Sequence, residues 1–219
     1  MQTEEPFEKI EYKGHNINIY QDDHDIDGGP RDWDNLGTMT CFHRNYALGD
    51  KHEWQDADEF KEYIETTDEI AVILPLFLFD HSGISISTGS GKFRAVDSVG
   101  WDWGQVGYIY VTKEQVKKEY SVKRLSKKTL KKAEKVLEAE VEVYDQALTG
   151  EVYGFMIEGD YCDDSCWGFY GDIEQTGGLL EDAKGFIDYA VKEAQKKHEK
   201  KVKAFITNHV PLTARTVTA

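Results

Sequence analysis

Val106-Gly107-Tyr108-Ile109-Tyr110-Val111-Thr112-Lys113-Glu114-Gln115 is the stretch on which the fold class turns. Its first six residues are strand-forming and alternate in character, as a half-buried strand does. Thr112 then stands three residues before Gln115, the spacing of a capping box that opens a helix. Downstream, Ser126 caps a longer helix in which Leu130, Ala133, Leu137, Val141, Tyr144 and Leu148 recur every three or four residues, and Gly150 supplies the stop. Upstream, Ile70 to Phe79 is an apolar run of strand length. Pro75 within it removes a backbone donor and marks a bulge or an edge. A second strand, Ile84 to Thr88, follows Gly83, and Gly89 to Gly104 reads as loop. Near the start, Phe7 to Tyr12 and Asn16 to Tyr20 alternate about Lys13-Gly14-His15, a hairpin signal. Asp22 to Gly37 is loop, Thr38 to Phe42 a short strand, and Asp56 caps a helix with Phe60, Tyr63 and Ile64 on one face. Glu151 to Glu158 and Cys166 to Gly171 form a last strand pair around the acidic loop Gly159 to Ser165. A helix beginning near Gly178 then turns Leu180, Ala183, Ile187, Ala190 and Ala194 inward. Strand pairs separated by helices predict a single α+β domain over residues 1–206, a mainly antiparallel sheet with three to four helices. Residues 207–219 read as a mobile polar tail.

The 219 residues carry 41 Asp and Glu against 26 Lys and Arg, a net charge of −15. That balance argues against direct nucleic-acid binding, which draws its affinity from cations that displace counterions, and against a membrane surface. No apolar run reaches the roughly 18 residues of a membrane span. The acidic start Met1-Gln2-Thr3-Glu4-Glu5 is unlike a secretion signal. Three cysteines fit a reducing compartment, so the expected location is the cytoplasm. The charge is segregated. Residues 1–60 hold fifteen acidic and five basic residues, 113–140 hold ten basic and five acidic, and 141–183 hold eleven acidic and no basic ones. The basic block reads as a solvated helix face.

Several stretches carry a resemblance: Arg31-Asp32-Trp33-Asp34-Asn35-Leu36-Gly37-Thr38-Met39, Leu74-Pro75-Leu76 through Asp80-His81-Ser82-Gly83, Gly104 through Val111, Tyr144-Asp145-Gln146 through Gly154, and Asp164-Ser165-Cys166-Trp167-Gly168-Phe169-Tyr170-Gly171. Together they resemble a family of bacteriophage and mobile-element proteins without an assigned activity, over roughly residues 20 to 172. The family has a shorter stretch where this chain has Ser90 to Trp103. The resemblance implies a setting, a host cell in which the chain acts as an accessory protein, and no catalytic residues.

Among local constellations, Asp23-His24-Asp25-Ile26-Asp27-Gly28 fits the first half of a calcium loop, with Asp34 at its twelfth position. Against it stand Asp34 where a longer bidentate Glu is usual, Arg31 at the ninth position, Pro30 at the eighth, and no preceding helix. The alternative is an acidic loop whose Asp residues make turns. Asp80-His81-Ser82 has the residue types of a hydrolase triad, but neighbours on a strand end point to opposite faces. Cys41, His43 and His81 remain candidates for a Cys/His nucleophile if they converge. Cys162 and Cys166 lack two further zinc ligands, and Thr88-Gly89-Ser90-Gly91-Lys92-Phe93 departs from a phosphate loop at Ile86 and Phe93. Trp33, Trp101, Trp103 and Trp167 lie in or beside loops, where an aromatic with a polar edge anchors a partner. Arg31, Arg44, Lys92 and Arg94 are the cations near them.

These features support first a non-enzymatic acidic binding protein of a phage or mobile element, a counter-defence inhibitor that presents carboxylates in place of phosphates to a nucleic-acid-handling host protein. The alternative is a binder that sequesters a small signalling nucleotide, as a monomer or an oligomer, using the tryptophans to stack a base and the cations to meet phosphate. A small Cys/His hydrolase ranks third. Beyond calcium no cofactor is expected.

Overall fold

The computed structural model describes residues 5–22, 29–173 and 178–211. Among the described residues it is an α+β fold of eight strands, all antiparallel, and five helices. The contacts divide the chain into two compact units, Met1–Asp22 with Val152–Ala219, and Asp23–Glu151. Each unit holds one four-stranded sheet.

In the first unit the sheet order is β1(Glu8–Tyr12), β2(His15–Gln21), β7(Val152–Glu158), β8(Asp164–Tyr170). The hairpin reverses through Lys13 and Gly14, both at positive φ (49° and 75°), with Tyr12 opposite His15. That two-residue geometry matches the twist of the strands. Ile17, Ile19, Phe155 and Ile157 point from this sheet into a core closed by Leu179, Ala183 and Ile187 of α5(Leu179–His209). The helix runs on to His209, three residues into the segment whose composition reads as a tail.

The second unit orders its sheet β3(Thr38–Cys41), β6(Trp103–Thr112), β4(Ile70–Asp80), β5(Ile84–Ser87). Pro75 sits on β4, which pairs with β6 along its length but with β5 only from Phe77 to Asp80. The Ile70 to Leu76 side that faces away from β6 is thus an edge, where a missing donor is tolerated. Register shifts flank it between Ile70 and Val72 and between Leu76 and Phe77. On one sheet face lies α4(Lys127–Thr149), capped by Ser126 and stopped at Gly150 with φ 75°. It buries Ala133, Leu137 and Val141 against Met39, Leu76, Ile109 and Val111. Thr112 and Gln115 form the reciprocal capping box of α3(Lys113–Glu119). A single helical turn, α2(Gly91–Arg94), interrupts the loop after β5. α1(Ala57–Thr66) is capped by Asp56, whose side chain accepts from the amides of Asp58 and Glu59. Among the described residues, no helix is long and apolar enough to cross a membrane.

Candidate functional site

Arg31 is not an available cation. Its side chain is 5% exposed and its guanidinium donates through Nε and Nη2 to both Asp50 oxygens, at 2.8 and 2.7 Å. Nη1 reaches Glu140 at 3.3 Å, and Nη2 also donates to the Gly37 carbonyl. The carboxylates are themselves tied to backbone: Asp50 accepts the Met39 amide, and Glu140 those of Leu36 and Gly37. This buried triad joins the turn 29–32, the start of β3 and the middle of α4. Lys92 is likewise engaged, with Asp145, which also accepts the Ser85 hydroxyl and the Ile86 amide. Arg94 lies 5.7 Å over the Trp103 ring. Of the four cations proposed to meet phosphate, three are thus spoken for by neighbours, and Arg44 is exposed in the loop after β3.

The nucleophile candidates separate. Cys41 is buried beside Met39 and Leu48, and burial pushes its thiol up to about 12, with the Asp50 charge adding to the rise. It is a thiol, not a thiolate, at neutral pH. Strand β3 ends at Cys41, so strand alternation does not carry to His43 and place the two on one face. His43 instead stacks on Tyr46, whose hydroxyl donates to Asp80 at 3.2 Å. His81 turns the other way from Asp80 and meets Asp102 at 3.1 Å. The two histidines lie at the same end of the sheet, each engaged by its own neighbours. Asp34 is exposed, and Asp23, Asp25 and Asp27 lie outside the described residues. Cys162 is buried, Cys166 half-buried, and both are free thiols.

The tryptophans divide as well. Trp103 belongs to β6, packs edge-on against Phe77 and donates its indole N–H to the Asp97 carbonyl at 2.9 Å. Trp167 lies against Tyr20 and over Gly154, where a Cβ would come within 2.2 Å of its ring. Trp33 is half-exposed, and Trp101 is 85% exposed beside exposed Val96 and Val99. The Trp101 loop is organised by the Asp97 carboxylate, which accepts the amides of Val99, Gly100, Trp101 and Asp102 at 2.6 to 3.0 Å. These donors, Asp102 foremost, hold its pKa below the ordinary 3.8. A lowered folded pKa gives a contribution present above pH 3.8 and lost as pH falls through the lower folded value. Acidification below about pH 4 is therefore expected to open this loop and shift tryptophan fluorescence to longer wavelength before the global melt. Asp97→Asn should remove that acid step, and an identical step in the variant would refute the assignment.

A concentrated acidic surface is α1 with its flanks. Between residues 53 and 69 stand eight carboxylates and one cation, Lys61. Glu53, Asp56, Asp58, Glu59, Glu62, Glu65, Asp68 and Glu69 are all exposed. Asp58, Glu62 and Glu65 recur at spacings of four and three along one stripe of α1, and Glu69 follows beyond the helix end at Thr66. Beneath the stripe the fully buried Phe60 packs on Tyr108 and Tyr110 of β6, with Phe42, Trp54 and Tyr63 around it. The aromatic layer faces inward and the carboxylates outward, so the helix holds a row of negative charge at a fixed spacing. A separate cleft of about 1140 Å³ in the first unit, between the β7–β8 loop and α5, mixes Asp160, Asp163 and Asp164 with Lys197 and Lys201. Among the described residues, no group of three or more His, Cys, Asp or Glu side chains is arranged to hold a metal ion.

No family model, curated protein or solved structure matches the chain. The site therefore rests on its own geometry, in which α1 holds dense negative charge on a helix anchored by Phe60.

Proposed function

We propose that the protein is a non-enzymatic binding protein whose acidic face occupies the nucleic-acid site of a partner protein. The observation that supports this most is the α1 stripe: exposed carboxylates repeating along a helix that is anchored from below by Phe60. A row of fixed negative charge steers a basic partner at long range and reproduces the field of a phosphate backbone without its chemistry. If the chain is a phage or mobile-element protein, as its sequence resemblance implies, the partner would be a host protein and the corresponding role an inhibitor of nucleic-acid-handling defence proteins.

Capture on immobilised protein from a bacterial lysate tests the reading. Basic nucleic-acid-binding proteins should be retained and released by added duplex DNA as well as by salt. The variant Glu62→Gln/Glu65→Gln/Glu69→Gln should lose about a hundredfold in affinity for the captured protein, mostly in association rate. It should melt at or above the parent temperature, because Glu62 and Glu65 repel one another and oppose the negative end of the helix dipole, each effect worth about 0.2–1 kcal/mol. Captured proteins that DNA does not displace, or undiminished capture by the variant, would overturn it.

A further inference from the structure

We propose that the groove between α3 and the start of α4 is a docking site for an acidic protein segment carrying an aliphatic side chain among its carboxylates. The groove has a volume of about 420 Å³. Its floor is aliphatic, made by Ile70 and Ala71 at the start of β4, Leu125 before α4 and Leu130 in its first turn. Its rim is cationic, with Lys113 and Lys117 from α3 and Lys123 and Arg124 from the connecting turn. No carboxylate lines it among the described residues. The rim's ion pair is Lys113 with Asp68 at 3.8 Å, and that carboxylate is 98% exposed.

The rim opens onto a wider basic surface. Residues 113–135 hold ten basic and three acidic residues in a chain of net charge −15. Lys127, Lys128, Lys131, Lys132 and Lys135 are all exposed on α4. At physiological ionic strength the Debye length is about 8 Å, so a ligand at this face feels these cations more than the distant carboxylates. The charge alone would suit any polyanion. The floor narrows the choice, because a phosphodiester strand would leave four aliphatic side chains wet, and no aromatic ring lines the groove to stack a base. A peptide with Leu or Ile between Glu or Asp residues satisfies both features, burying its aliphatic group between the cations that neutralise its flanks. The groove adjoins the acidic flank of α1, whose Asp68 pairs with Lys113, and draws on a different part of a partner.

Fluorescence anisotropy on the full chain decides it, with a labelled peptide of repeating Glu-Glu-Leu as the probe. The Gln-Gln-Leu and Glu-Glu-Ser counterparts and a duplex DNA of similar charge should each bind at least about tenfold more weakly. The variant Lys117→Gln/Lys123→Gln/Arg124→Gln removes three exposed rim charges and should weaken the probe by about tenfold or more with an unchanged circular dichroism spectrum and melt. A Glu62→Gln/Glu65→Gln variant, which leaves Asp68 and Glu69 beside the groove untouched, should bind the probe no more weakly than the parent does, which separates this site from the acidic stripe. Tighter binding of duplex DNA than of the peptide would overturn the proposal in favour of a nucleic-acid surface. Equal binding by the rim variant would overturn it outright. Failure of the probe, with self-association in sedimentation that the rim variant abolishes, would assign the groove to a second copy of the chain instead.

Discussion

Arg31→Leu is expected to cost about 3 kcal/mol of stability, the largest effect of any single polar substitution in the second unit. The substitution leaves Asp50 and Glu140 without the guanidinium that neutralises both. Breaking a buried ion network by removing one partner typically costs about 3–5 kcal/mol, because the remaining charges are stranded. Asp50 is 23% exposed against 11% for Glu140, so water can reach the former and the lower end of the range applies. The loss is a large fraction of the roughly 5–15 kcal/mol of a typical domain. It should appear in urea as a lower midpoint with an unchanged slope. Arg31→Lys should recover little, since an ammonium cannot reproduce the two-toothed contact with Asp50 while also reaching Glu140 and the Gly37 carbonyl. Adding Glu140→Gln to Arg31→Leu should be less costly than the sum of the two single changes, because it removes one of the stranded charges. A destabilisation by Arg31→Leu below about 1 kcal/mol would show that the triad is effectively solvated.

The same residue shows where sequence reasoning reaches its limit. Elements fixed by neighbours within about four positions were legible: the Lys13-Gly14 turn, the Thr112–Gln115 box, the Ser126 and Asp56 caps and the Gly150 stop each depend on contacts that the local sequence names. Strand identity was legible for the same reason, since alternation is local. The fate of a charge is not. Arg31 looks like a solvated cation beside Trp33 until Asp50 and Glu140, 19 and 109 residues away, close on it. Asp145 counts toward an acidic block, yet it is buried beneath β5 and joined to Ser85 and Lys92. The division into two sheets depends on β2 pairing with β7, more than 130 residues later, which no local pattern specifies. The α1 stripe is only partly local: Asp58, Glu62 and Glu65 lie on the helix that Asp56 caps, but its anchoring through Phe60 needs Tyr108 and Tyr110 of a distant strand. Likewise the basic block was legible as charge, whereas the aliphatic floor beside it needs Ile70 and Ala71 from a distant strand.

Phe60→Ala is expected to release α1 from the sheet and with it the acidic surface. Phe60 is the one buried residue of this ten-residue helix, and its ring meets Phe42, Trp54, Tyr63, Tyr108 and Tyr110 at centroid distances of 5.2 to 6.1 Å. Truncating a buried Phe costs about 3–5 kcal/mol when the cavity must be kept. Here the chain has a cheaper response, because a helix that loses its one fully buried side chain and keeps only half-buried contacts can undock. Once undocked, a helix of ten residues is below the length at which isolated helices persist in water, and the repulsion among its carboxylates lowers its stability further. The observed loss of global stability should therefore stay below about 3 kcal/mol, capped by the burial free energy of one Phe side chain. Local protection should disappear entirely: native-state hydrogen exchange should find the α1 amides unprotected while those of β4 and β6 exchange as in the parent. Affinity for the captured basic partner should fall at least as far as in the Glu62→Gln/Glu65→Gln/Glu69→Gln variant, although Phe60→Ala leaves every charge in place. Phe60→Leu, which keeps most of the buried volume, should restore both protection and binding. If α1 stays protected in Phe60→Ala while binding is lost, or unprotected while binding is kept, the fixed spacing of the carboxylates is not what the partner reads.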